Sequence, residues 1–141
     1  MRLRTVGAAA ALFLLMAGVA DAAVLHYTAT LKGADEVPPN ATTGTGAVEA
    51  TLDTDTKTFS YTVIYSGLTG PAVAAHFHGP AAPGVNAPPM IMVMDLASPI
   101  KAGATLTDGQ IADLEAGMWY FNVHTAAHPG GEIRGQLKAA P

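Results

Sequence analysis

Period-two alternation of apolar and polar side chains is the feature that most constrains this chain. Leu25, Tyr27, Ala29 and Leu31 interleave with His26, Thr28, Thr30 and Lys32, the pattern of a strand with one face buried and one wet. A helix would scatter the same residues around its circumference. Val48, Ala50 and Leu52 repeat the alternation and run into Asp53-Thr54-Asp55, a turn rich in side chains that bond their own backbone. Residues 57–65 (KTFSYTVIY) are β-branched or aromatic almost throughout. The two segments are therefore expected to form a hairpin.

Punctuation divides the remainder. Residues 33–46 and 79–89 (GPAAPGVNAPP) are too rich in Pro, Gly and Thr for regular structure and read as loops. Short strands are expected at residues 72–78, 90–96, 118–125 and 132–138, with turns at 67–71 and at Pro129-Gly130-Gly131. Thr107 and Gln110 have the spacing of a capping box. Ile111 and Leu114 then give one apolar edge to a short helix that Gly117 ends. No repeat or linker interrupts the pattern. The expectation is an all-β domain: an antiparallel β-sandwich, immunoglobulin-like or Greek-key, of about seven strands with one short helix.

The N-terminus carries a different signal. Arg2 and Arg4 precede an Ala/Leu-rich apolar run over residues 6–19, and Ala20-Asp21-Ala22 offers small residues where a signal peptidase reads. The run is shorter than the roughly 20 residues a membrane span needs. Residues 1–22 are expected to be a cleaved signal peptide and residues 23–141 the exported domain, periplasmic or secreted, with no membrane span left after cleavage. The chain has seven basic and eleven acidic residues. Loss of Arg2, Arg4 and Asp21 leaves five and ten, a net of about −5. No basic cluster is present, which argues against nucleic acid and anionic lipid as partners. There is no cysteine, so stability rests on packing, and a metal site must use His, Met or carboxylate ligands.

Four of the five histidines fall in two clusters. In His76-Phe77-His78, alternation sends Phe77 inward and both imidazoles outward, about 7 Å apart along the strand. Two such rings can converge on one ion at about 2 Å each. In Trp119-Tyr120-Phe121-Asn122-Val123-His124, the apolar set leaves Tyr120, Asn122 and His124 on the opposite face, so His124 is a candidate third ligand. His128, in the following turn, is a candidate fourth ligand or supporting group. The competing account is that these imidazoles only hydrogen-bond and fix loops. His26 reads as a surface strand residue. Met90, Met92 and Met94 alternate on one strand face. Thioethers favour Cu(I), but Met commonly fills core gaps, and these residues, with Met118, are assigned to the core. Arg134 is expected to pair with a carboxylate or to cap backbone carbonyls rather than bind a free anion. No Ser-His-Asp arrangement, phosphate loop or catalytic carboxylate pair has a supporting context.

Taken in order, Ala75-His76-Phe77-His78-Gly79-Pro80-Ala81, Gly84-Val85, residues 120–125 (YFNVHT) and residues 128–137 (HPGGEIRGQL) resemble the CHRD domain, named for its occurrence in chordin and found in many exported bacterial proteins. The opening residues 27–38 (YTATLKGADEVPP) match the same pattern. The resemblance implies an immunoglobulin-like β-sandwich, and the animal members of the family bind secreted growth factors. The family pattern includes the HxH and the later His. A weaker likeness is to copper/zinc superoxide dismutase. This chain lacks that family's paired cysteines and its acidic, His-rich zinc loop, which argues against superoxide chemistry and leaves a bare copper site open.

The function expected is therefore a non-enzymatic exported binding domain. It would hold one transition metal, copper before others, through His76, His78 and His124, with His128 beside them, for buffering or delivery in the envelope. Imidazoles suit Cu(II), which stands near the top of the divalent affinity order. The alternatives are a metal-free module for an extracytoplasmic protein partner and, third, a superoxide dismutase-like copper enzyme, which would need an open coordination position.

Overall fold

A computed structural model describes residues 23–141; the signal peptide expected over residues 1–22 lies outside the described residues. Nine strands and one α-helix are present in the described chain: β1 (Val24–Lys32), β2 (Thr45–Asp53), β3 (Thr58–Ser66), β4 (Ala72–His78), β5 (Pro89–Met92), β6 (Ile100–Thr105), α1 (Asp108–Glu115), β7 (Tyr120–Thr125), β8 (Ile133–Gln136) and β9 (Lys138–Ala140). Every pairing is antiparallel. The hydrogen-bonded order is β5-β4-β7-β8-β1-β2-β3-β6, with β9 also pairing β1. Among the described residues no helix is long and apolar enough to cross a membrane.

The expected β2–β3 hairpin is in register from Thr45↔Ser66 to Asp53↔Thr58. Its turn is held by the Asp53 carboxylate, which accepts from the Asp55 and Thr56 backbone N–H groups. At β8–β1 the sheet bends over, so β5-β4-β7-β8 faces β1-β2-β3-β6 across one core. Phe59 and Tyr61 of β3 meet Phe77 of β4 edge-on, at centroid distances of 5.3 and 4.7 Å. Trp119 and Phe121 complete this aromatic centre, and Leu31, Leu52, Val63, Ile133 and Leu137 close it. Edge-to-face contact of this kind adds about 0.5–1.5 kcal/mol per pair to the burial itself. The all-β sandwich-like architecture and the alternation that predicts it agree.

The capping box is formed in both directions: Thr107 Oγ1 accepts from the Gln110 N–H, and Gln110 Oε1 accepts from the Thr107 N–H. The helix delivers Leu114 to the core, and Gly117 ends it with φ +71°.

Three details differ from the sequence expectation. β6 (IKAGAT) has almost no intrinsic strand preference and forms because β3 offers it a full edge to pair with. The last strand is two pieces, broken at Leu137, whose N–H donates to Trp119 O while Lys138 begins pairing with β1. The strand expected at residues 90–96 shortens to β5, and two of the three methionines there, Met92 and Met94, are not core residues. Met92 is 58% and Met94 92% exposed, whereas Val93 is buried. Met90 packs partly against the core, and Met118 is half-buried. The sequence MIMVM is apolar on both faces, so alternation does not choose between them. β5 lies at the sheet edge, and the β-branched face is the one turned inward.

Candidate metal centre

The outer face of β4-β7-β8 carries the chemistry. Cross-strand register makes His76 the neighbour of Asn122 and His78 the neighbour of Tyr120, with Arg134 and Gln136 next in the two rows. Phe77, Phe121 and Val123 of the same strands are fully buried on the other side. This is the division that alternation predicts. The loop after His78 folds back over the face. It leaves the strand through Gly79, where a Cβ would lie 2.9 Å from the Met118 carbonyl and 3.0 Å from Trp119 Cδ1, too close for any side chain.

His76, His78 and His124 come together: each offers a ring nitrogen, and the three atoms lie within 4.8 Å of one another. His76 Nδ1 and His124 Nε2 are 3.2 Å apart. Two imidazole nitrogens bound to one ion at about 2 Å each, at a near-tetrahedral angle, would stand about 3.3 Å apart. His124 is oriented from behind, because its Nδ1–H donates to the Pro129 carbonyl at 2.9 Å. That bond fixes the tautomer and turns the Nε2 lone pair toward His76, as backbone carbonyls do for metal-binding imidazoles. His76 Nδ1–H then donates into that lone pair, and this proton lies where an ion shared by the two rings would sit.

His78 is more tightly held. Its Nδ1 faces the Ala87 carbonyl at 2.8 Å and its Nε2 faces Asn122 Oδ1 at 3.0 Å. The ring stacks on Tyr120, with centroids 4.6 Å apart and planes 3° from parallel. Burial lowers the pKa of His78 against the opposite pull of its bonds to Ala87 and Asn122, and the nearby His124 and Arg134 charges add to the lowering. A carbonyl only accepts, so the single proton of neutral His78 belongs on Nδ1. Nε2 is then bare, and the Asn122 amide serves it best with its NH₂ turned inward. Burial also lowers the pKa of His76, followed by the His124 and His78 charges. The net effect of burial and neighbouring charge favours the neutral, ligating form of both rings.

The surroundings are built rather than incidental. Arg134 is buried, with Cζ 3.4 Å from the Tyr120 ring centroid. It donates to Asn86 Oδ1 and to the Val85 carbonyl, so it caps loop groups as expected of it. Tyr120 Oη accepts from the Ala87 N–H, holding the same loop. Glu36 lies behind Asn122 and Arg134, and its Oε1 is buried without a hydrogen-bond partner. Burial raises its pKa to about 7 against the pull of the Arg134 charge. Gly131, at φ +128°, makes room for this carboxylate, because a Cβ there would overlap it.

Glu132 anchors the turn that supplies the Pro129 carbonyl. It is fully buried and accepts from Thr42 Oγ1 (2.6 Å), the Thr69 N–H (2.8 Å), Thr69 Oγ1 (2.8 Å) and Thr125 Oγ1 (2.7 Å). Burial alone would raise its pKa; these four bonds outweigh it and hold the group at about 2.

His128 is not in the three-nitrogen group. Its backbone closes the Thr125–His128 turn, and its carbonyl accepts from the Gly131 N–H. His26 is exposed on β1. Sequence reasoning places Tyr120 and Asn122 beside the histidines but misses Glu36 and the Ala87 carbonyl. Both belong to Pro-rich loops without periodicity, and only the fold brings them to the sheet.

No curated protein and no solved structure matches the chain. The CHRD domain family model matches residues 27–137, a span that holds the hairpin, all three clustered histidines and the buried Arg134 and Glu132. The chain belongs to the CHRD domain family, and its domain is a binding module with a three-histidine cluster on one sheet face.

Proposed function

We propose that this protein is an exported metal-binding domain that holds one copper ion through His76, His78 and His124, for buffering or delivery in the cell envelope. The observation that carries this reading is the 3.2 Å approach of His76 Nδ1 to His124 Nε2, with His124 fixed from behind by the Pro129 carbonyl. Copper is preferred on chemistry. The donors are neutral imidazoles, thiolates are absent from the sequence, and Cu(II) stands above zinc in the affinity order for such ligands. The signal-peptide pattern of residues 1–22 adds a compartment where copper is met. Closing His78 Nε2 onto the ion costs its bond to Asn122, while its Nδ1–H keeps the Ala87 carbonyl.

The test is calorimetric titration of the metal-free protein with Cu(II). One saturable site is expected, abolished in His76→Ala/His78→Ala. Titration unchanged by that double substitution would end the proposal.

The two hydrogen bonds on His78 favour a second reading, in which the histidines only tie the loop to the sheet of a protein-interaction module. On that reading the same double substitution lowers stability and moves no metal titration.

A further inference from the structure

The histidine cluster has a flank that the copper reading above does not use. In the β4–β5 ladder the cross-strand neighbour of His76 is Met92, and directly opposed residues share a sheet face with Cβ atoms about 5 Å apart. Val93 is turned into the core, with its N–H donated to Ala75 O. Met94 follows in the bend just beyond the end of β5. Both thioethers are exposed, Met92 at 58% on β5 and Met94 at 92% in the bend after it, while Val93 between them is buried. Burial of such side chains is favourable, and the fold leaves that gain unrealised at two positions two residues apart. The Nδ1 of His76 is directed at His124, while none of the hydrogen bonds among the described residues engages its Nε2. One imidazole and one solvent-facing thioether thus stand at the outer edge of the sheet, with a second thioether in the bend two residues on, in a chain without cysteine.

Thioether sulfur is a soft donor that selects Cu(I), whereas the imidazole cluster suits Cu(II). We infer that the β5 flank of His76 is a Cu(I) site ligated by Met92 and Met94 together with the His76 imidazole, so that the face accepts copper in its reduced as well as its oxidised state. The inference rests on the copper reading of the histidines. An edge position suits it: an ion held at the rim by solvent-facing thioethers is open to exchange with a partner.

The test is anaerobic titration of the purified protein with Cu(I) against a chromophoric Cu(I) chelator, for the wild type and for Met92→Leu/Met94→Leu. Both positions are exposed, so the leucines leave the fold intact. At least a tenfold loss of Cu(I) affinity is expected in the double variant, with Cu(II) binding unchanged. The X-ray absorption spectrum of the Cu(I)-loaded wild type should show sulfur neighbours that the variant lacks. A wild type that binds Cu(II) at the histidines yet shows no sulfur neighbour, or a Cu(I) affinity within twofold of the variant's, overturns the thioether site alone. A wild type that binds neither ion overturns it together with the histidine reading.

Discussion

Substituting Glu132 by Gln changes little in shape and removes the charge that organises the turn beside His124. The buried carboxylate accepts four hydrogen bonds, three from Thr42, Thr69 and Thr125 hydroxyls and one from the Thr69 N–H. Bonds to a charged acceptor contribute about 1.5–3 kcal/mol each, against about 0.5–1.5 for neutral pairs. The amide keeps one acceptor oxygen, and the hydroxyls facing its NH₂ can rotate to accept. The loss is then mainly that of charge assistance, about 1 kcal/mol per bond and about 2–4 kcal/mol in all. The sign with pH is fixed. The folded pKa, about 2, lies below the ordinary carboxylate value of 4.5, so the stabilisation is complete above about pH 4.5 and disappears as pH falls through about 2. Urea unfolding of both proteins at pH 7 and at steps down to pH 2 measures this. The midpoint gap should be wide at pH 7 and narrow toward pH 2, at constant m-value. A gap under about 1 kcal/mol at pH 7, or one independent of pH, would refute the reasoning.

Two further outcomes follow from the same structure. Glu36 is the opposite case: its folded pKa is raised to about 7, so its burial costs stability that is fully felt above pH 7 and absent below about 4.5. Glu36→Gln should therefore raise the thermal midpoint at pH 8 more than at pH 4; an equal shift at both would contradict the assignment. Thr107→Ala removes the reciprocal cap of α1 and should cost about 1 kcal/mol in urea unfolding, with loss of the Thr107 acceptor as the cause.

Much of this is legible in the sequence where one period dominates. Phe77 and Phe121 are bulky and apolar between polar neighbours, so alternation alone sends His76, His78, Asn122 and His124 to one side. Thr107 and Gln110 announce the helix start because capping is local. Where periodicity is weak, the fold decides. The Ala/Gly-rich β6 exists through its pairing with β3, and β5 chose its inward face through packing that an all-apolar sequence does not encode. The partners of His78 could not be found by spacing, since Ala87 contributes only a carbonyl. Glu36 is a loop carboxylate made important by Gly131, Asn122 and Arg134 around it.

The central claim is that three imidazoles hold one ion. The most direct measurement is pulsed electron paramagnetic resonance of the protein loaded with one equivalent of Cu(II), beside His76→Ala/His124→Ala. Nitrogen couplings from three imidazoles are predicted in the wild type and their loss in the variant. A wild-type spectrum of loosely bound aqueous copper, or one the two substitutions leave unchanged, would contradict the account.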